Sequence, residues 1–350
     1  MKNLSWFNKV MFFFNIVLTI LTFVAYVLPF LAPNWFPFLS VLTLILPLFL
    51  IINALFFVYW FIQFKRQLIL SGLVLILGIT FINKYYKFSS KEKVATDRDF
   101  VVMSYNVRLL NLFNWIPREN VAQDILEFVN EKNPDVLCIQ EYSTSASAKI
   151  DLKIYPYRAI FMDGDQIKTG NAIFSKFPIV NEGKIDFPNS NNNAIFADVK
   201  IGKDIVRFYN LHLESLKISP DVNDISENVE GIKQKDSRLI VKRISDGFTK
   251  QQQQAEIIME HKRTCSYPLI VCGDMNNSAF SYVYRVIKGN MQDCFEEAGT
   301  GFGKTYNFKH YPARIDYIFA DNKMSVKSFE NFPDFINSDH MPIMTRVAVE

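Results

Sequence analysis

Three charge-free apolar runs at the start of the chain constrain its folding more than any other feature. Residues 10–31 carry no charge and are long enough to cross a bilayer as a helix. Residues 39–62 repeat the pattern, and Tyr59-Trp60 near their end suits a membrane interface. A third, shorter run at 68–82 follows a Lys65-Arg66 break, and Lys84 and Lys87 beyond it can snorkel to the interface. The plain alternatives are a buried core helix or a cleaved signal peptide. Three closely spaced runs fit neither, because a signal peptide has one short apolar core and then a cleavage site. The expectation is a multi-pass membrane region over 1–87, with spans near 10–31, 39–62 and 68–82. A polar, lysine-rich linker over 88–98 then leads into a globular domain over 99–350.

Charge follows the same division. Residues 1–96 hold 8 Lys/Arg and the single acid Glu92, which leaves 30 basic and 34 acidic residues in 97–350. A mildly acidic domain weighs against non-specific coating of nucleic acid. Orientation is weakly determined: with the N-terminus inside, four basic residues fall on each side. The uncharged 32–38 loop tips the reading toward an extracytoplasmic domain. The four cysteines have no zinc-type or C-x-x-C spacing, and Cys138 and Cys272 read as small buried hydrophobes.

In the globular part, residues 101–105, 135–139, 171–174, 194–201, 205–213, 314–320 and 343–349 read as strands. Residues 118–132 and 238–263 read as helices, with a shorter one at 282–287. Residues 214–236 are polar and irregular, a surface loop or insertion. Strands with helices between some of them indicate an α/β domain with two packed sheets.

The most informative stretch is 268–278, P-L-I-V-C-G-D-M-N-N-S. Its apolar run reads as a buried strand that breaks at Gly273. Spacing of two then puts Asp274 and Asn276 on one side of an extended chain. A carboxylate and an amide facing one point suit a Mg²⁺-assisted reaction on phosphate. An Asx-rich turn is the plain reading of the same residues. Polar residues recur at other strand ends, however: Asn106, Glu141, His212, Asp316 and the Asp339-His340 pair. Each alone has a structural explanation as a cap, a turn or a satisfied core histidine. Six such coincidences, each beside an apolar run, favour a shared site.

Taken together, Asn106 after the first strand, Gln140-Glu141, G-N-A-I-F-S-K-F-P-I at 170–179, L-H-L, G-D-M-N, R-I-D-Y-I and S-D-H-M-P resemble the endonuclease/exonuclease/phosphatase superfamily. That group spans deoxyribonucleases, abasic-site endonucleases, inositol polyphosphate phosphatases and sphingomyelinases. The match covers about 100–350 in the family's order and excludes the apolar runs. It implies a four-layer αββα sandwich of two packed mixed sheets flanked by helices, with the site at one end of the sheets. By motif, Glu141 is the principal Mg²⁺ ligand (Mn²⁺ being the alternative ion), with Asn106, Asp316 and Asp339 completing the metal side. Asp274 positions or deprotonates the attacking water, and Asn276 binds a phosphate oxygen. His340, oriented by Asp339, contacts the scissile phosphate, while His212 stabilises developing charge and Asn171 joins the substrate contacts.

The expected activity is metal-dependent hydrolysis of a phosphodiester or phosphomonoester by a membrane-anchored enzyme. Nucleic acid and a phospholipid or small phosphoester both remain as substrates, and no protein partner is identifiable. The contrasting reading is a catalytically inactive phosphate-binding module on a membrane anchor.

Overall fold

The computed structural model describes residues 4–89, 93–145, 150–164, 167–216, 237–308 and 311–350. Most of the polar 214–236 stretch, from 217 onward, lies outside the described residues.

The first apolar run is one long helix, α1 (Trp6–Val27), capped by the Ser5 hydroxyl and continued by a 3-10 turn at Leu28–Phe30. It is long and apolar enough to cross a membrane. The second run divides into α2 (Pro37–Ser40), a 3-10 turn at Val41–Thr43 and α3 (Leu46–Ile62), bent by 59°. Pro47 opens α3 and has no N–H to bond back to the preceding turn, so the helix restarts there. The third run divides into α4 (Leu68–Leu77) and α5 (Ile79–Tyr85), bent by 56° at Gly78. A Cβ at Gly78 would lie 2.2 Å from the Tyr26 hydroxyl, which donates to the Val74 carbonyl at 2.9 Å. The second and third runs are therefore bent pairs, where the apolar pattern alone suggested two full-length spans and a shorter third.

This bundle buries several polar side chains within an apolar core and leaves large apolar residues exposed outside. Asn15, Thr22, Asn53 and Ser71 are buried, whereas Phe14 is 55% exposed, Leu55 64% and Ile76 68%. Asn15 donates to Ser71 and accepts from the Trp60 indole, and Asn53 donates to Thr22. Side-chain hydrogen bonds between helices with an aliphatic outer face are how helices associate in lipid.

The rest of the chain runs β1 (Tyr86–Lys87), β2 (Asp99–Asn106), α6 (Val121–Lys132), β3 (Val136–Ser143), β4 (Tyr157–Asp163), β5 (Thr169–Ser175), β6 (Ile179–Asp186), β7 (Asn193–Ile201) and β8 (Asp204–His212). It continues through α7 (Ser237–Arg263), β9 (Leu269–Asp274), α8 (Tyr282–Lys288), β10 (Gln292–Asp293), α9 (Cys294–Ala298), β11 (Gly301–Phe302), β12 (Asp316–Ala320), β13 (Met324–Asn331) and β14 (Ile343–Val349). Two six-stranded sheets result, ordered β13-β14-β2-β3-β5-β4 and β10-β12-β9-β8-β7-β6. Each is antiparallel except for one parallel pair, β2 with β3 and β8 with β9. A parallel pair requires a crossover, and α6 and α7 supply the two.

Side-chain alternation sorts the apolar residues into three layers. Phe100, Val102, Val136, Cys138, Phe208 and Cys272 pack between the sheets. Met103, Leu137 and Ile139 face α6, which answers with Val121, Ile125 and Val129 at helical spacing. Tyr209, Val271 and Tyr317 face α7 and α8. The fold is two packed mixed sheets flanked by helices.

The bundle's far end is closed by Asn8, which donates to Gln63 and accepts from Tyr59. Its near end rests on the domain. Arg285 of α8 donates to the Pro29 carbonyl at 2.6 Å, Gln252 of α7 accepts from the Asn34 N–H, and Phe280 packs into the bundle core. At the other boundary β1 pairs with β11, and the Lys93 N–H donates to Lys327. The described residues of the 88–98 linker therefore end on the domain at both sides.

Candidate active site

The face of each central strand that is apolar between the sheets turns polar at one level. On β2, Phe100 and Val102 are followed by Ser104 and Asn106; on β3, Val136 and Cys138 by Gln140. On β8, Val206 and Phe208 precede Asn210 and His212, and on β9, Ile270 and Cys272 precede Asp274. Antiparallel β12 enters the same level with Asp316, paired in register with Asp274. Because both parallel pairs point the same polar end at this level, the site sits at the carboxyl ends of β2, β3, β8 and β9. This is where ligands bind in α/β sheets with reversed strand order.

Two backbone devices set the details. The β3–β5 ladder slips between Ile139 and Tyr142, so Gln140 and Glu141 form a bulge, and Glu141 has φ 51°. A bulge re-aims a side chain out of strict alternation, which lets both neighbours serve the site. Gly273 has φ +130°, and a Cβ there would meet the Leu211 carbonyl oxygen at 2.0 Å. Only glycine fits that approach, and it sets the direction of Asp274.

Asn106 holds the centre. Its Nδ2 donates to Glu141 and to Asp274, each at 3.1 Å, and its Oδ1 accepts from the Arg108 N–H. His212 Nε2 lies 3.6 Å from Glu141 and 3.8 Å from Asp274. His340 Nε2 lies 3.6 Å from Asp274, while its Nδ1 meets Asp316 at 3.0 Å. Asp274 also accepts from the Asn276 N–H at 2.7 Å. Burial pushes the Asp274 carboxyl up to about 6, and the Asp316 charge adds to this against the two histidines. Burial opposes a charged His340, yet Asp316 and Asp274 outweigh it and hold its pKa well above the usual value. Burial lowers His212, which favours its neutral form. Burial and then the nearby Asp339 charge raise the Glu141 carboxyl.

Asp274, Asp316 and His340 lie close enough to hold a metal ion. A protonated His340 already neutralises those two carboxylates, so a cation there meets competition. Glu141 and Asp339 repel one another, and their hard oxygens suit a divalent cation. Arg108 is the cation that faces Asp339, at 3.2 Å.

Several expected contacts take a different form. His340 is oriented by Asp316, not by its sequence neighbour Asp339, which turns instead to Arg108 and the Ser338 hydroxyl. The reason is backbone geometry: His340 bridges to Tyr306 in extended conformation, so adjacent side chains diverge. Asp316, assigned to the metal side, meets His340 Nδ1 and also lies in the Asp274–Asp316–His340 group that could hold a metal. Asn276, expected on a phosphate oxygen, donates to the Leu213 carbonyl at 2.9 Å. Asn171 links the two sheets by donating to Asn193 on β7, and its own Oδ1 is buried without a protein partner. Sequence reading passed over Arg108, Asn210 and Ser338. Asn210 was recoverable from period-two spacing before His212. Arg108 was not, because it lies past β2 in a loop whose residues 108–111 have positive φ.

Comparison with known proteins decides the family. The sequence profile described as the endonuclease/exonuclease/phosphatase family matches residues 103–340. The chain belongs to this family. A second profile, described as a domain of unknown function, matches residues 8–85. Among solved structures, an endonuclease/exonuclease/phosphatase from Bacteroides vulgatus is similar at 19% identity and TM-score 0.54, covering 72% of this chain and 99% of that one. D. rerio TDP2 complexed with single strand DNA product is similar at 16% identity and TM-score 0.51, covering 72% and 99%. The human Nocturnin catalytic domain with bound sulfate gives 16% and 0.52, covering 73% and 97%. At these identities the likeness establishes the fold. No curated protein matches the chain.

Proposed function

We propose that this protein is a membrane-anchored, divalent-metal-dependent phosphodiesterase. The observation that carries the reading is the convergence of Asn106, Glu141, His212, Asp274 and His340 at the carboxyl ends of two parallel strand pairs, one from each sheet. Residues 1–87 are the membrane region, 88–98 the connection and 99–350 the hydrolase domain. A bundle with hydrogen-bonded polar groups buried in its core and a large apolar exterior supports three spans, one straight and two bent.

Glu141 and Asp339, with Asn106 between Glu141 and Asp274, are the groups that would hold the ion, and Mg²⁺ suits their hard oxygens. Bound there, the ion would supply charge neutralisation at a phosphoryl oxygen. Asp274, with a pKa near 6, is suited to accept a proton from attacking water at neutral pH. The Asn276 N–H fixes the orientation of that carboxylate. His340, kept cationic by Asp316, presents Nε2 toward the reacting phosphate, and His212 stands across from it as a neutral hydrogen-bonding group.

Glu141→Gln tests the assignment by keeping shape and removing one charge. Mg²⁺ should raise the thermal midpoint of the wild type and not of the variant. Turnover of a generic phosphodiester should fall at least about a hundredfold in the variant, and chelation should abolish it in the wild type. Undiminished turnover in excess chelator rejects the metal requirement; no turnover of any phosphoester leaves the inactive binding module.

A further inference from the structure

A cavity of about 520 Å³ lies where the N-terminal helices meet the hydrolase domain. That is within the usual size range of a small-molecule site, roughly 300–1,000 Å³. Its two ends differ in chemistry. At one end are Arg108, Asn276 and Asp339 of the active site. At the other are Val41, Leu44, Ile45 and Leu48, all from the second apolar run. Ile45 and Leu48 are 39% and 51% exposed, so this end reaches the outer, aliphatic surface of the bundle. The remaining wall is mixed, with Phe280, Tyr306, Phe308 and Tyr311 as its aromatic members.

We infer that the substrate is a bilayer phospholipid, its phosphodiester at the Arg108–Asn276 end and one acyl chain lying along the aliphatic wall. This inference rests on the hydrolase reading above and adds the substrate class. Three observations favour it. First, the cavity is continuous from catalytic groups to residues of a segment with no charge between 39 and 62. Second, Arg108, Lys84 and Arg243 all line the cavity, which suits an anionic phosphate, although Arg108 is already paired with Asp339 at 3.2 Å. Arg314 lines the cavity too, but buried Asp293 holds it at 2.7 Å. Third, a polynucleotide would press flanking phosphates against Leu44, Ile45 and Leu48, which offer no compensating charge or hydrogen bond. A lipid chain loses nothing there, since it passes from bilayer to an apolar wall. The same architecture explains why a hydrolase domain is built directly onto its helical bundle through Arg285, Gln252 and Phe280 rather than on a free tether.

The test uses the full-length protein in detergent solution with Mg²⁺. Substrates are one series of phosphodiesters with a fixed headgroup and alkyl chains of two to eight carbons, held below their micellisation limits. The expected result is a kcat/KM that climbs with length, by up to about fourfold per added methylene while the chain enters the cavity. Leu48→Trp should flatten that climb by filling the aliphatic end, whereas Leu48→Met should restore it. Hydrolysis that is independent of chain length overturns the lipid assignment and leaves the hydrolase standing. So does an oligonucleotide turned over with higher kcat/KM than every member of the series, in which case nucleic acid is the substrate. If nothing is hydrolysed, the hydrolase reading fails by itself. Displacement of a fluorescent long-chain diester by the same series then reads the cavity, and binding that ignores chain length overturns the lipid site independently.

Discussion

His340 is a buried imidazole between two carboxylates, Asp316 and Asp274, whose charges favour its protonated form against the cost of burial. Its Nδ1 is held by Asp316, so the group that fixes the ring lies 24 residues away in sequence. A double-mutant cycle distinguishes this partner from Asp339. His340→Ala should lower kcat at least about a hundredfold, the scale of an electrostatic or acid–base group. Asp316→Asn should cost a substantial part of that, and the two together little more than His340→Ala alone. Asp339→Asn, which acts on Arg108 and the metal side, should instead multiply with His340→Ala. Circular dichroism of each variant checks folding, and multiplicative losses for Asp316 with His340 would reject the pairing. Most of the residues that gather at the site were legible in the sequence, because each lies beside an apolar run. Which of them touch was not, because the partner of His340 is set by the register of β12 against β9.

At the scale of elements, the strands that the sequence declares are the central ones. β3, β9 and β12 are buried on both faces and carry continuous apolar runs, while β8 and β14 hold Arg207 and Arg346 among apolar residues. Within the two six-stranded sheets, the strands it does not declare are β4, β6, β10 and β13, which are the four edges. An edge strand is half solvated and carries mixed residues, as in I-V-N-E-G-K-I-D of β6, so its pattern falls below the signal. Gly247 likewise weakens the pattern of α7, yet a Cβ there would come within 2.9 Å of Leu216, so the gap admits the chain leaving β8. Gly273 is the element-scale control on chemistry. Gly273→Ala forces a side chain against the Leu211 carbonyl oxygen at the one point where β8 and β9 deliver His212 and Asp274 together. The variant should lose at least about 1 kcal/mol of stability and most of its turnover. Chemical denaturation and steady-state kinetics on one preparation measure both, and a fully active, equally stable variant would mean that the strand ends tolerate displacement.

At the scale of the whole molecule, the question is what surrounds the aliphatic exterior of the bundle. In water, exposed residues such as Phe14, Leu55, Phe61, Ile69 and Ile76 would form a patch far larger than soluble proteins carry. In lipid they need no cover, and the buried Asn15, Asn53 and Ser71 contacts become the groups that hold the helices together. The bent pairs at Pro47 and Gly78 do not oppose this, since backbone groups freed at a bend can be met inside a bundle. The pairing of Pro29, Asn34 and Lys84 with the domain places the ends of the first and third runs on the same side, as an antiparallel three-span arrangement requires. Full-length protein should therefore remain in the membrane fraction through high-salt and carbonate washing, because insertion of about 20 apolar residues is effectively irreversible. Release by salt alone would mean electrostatic attachment and would remove the aliphatic end of the cavity from lipid. Protease added to intact cells then locates the domain. The uncharged loop at 32–38 predicts digestion of residues 97–350, whereas protection until the cells are opened would place the site on the cytoplasmic leaflet.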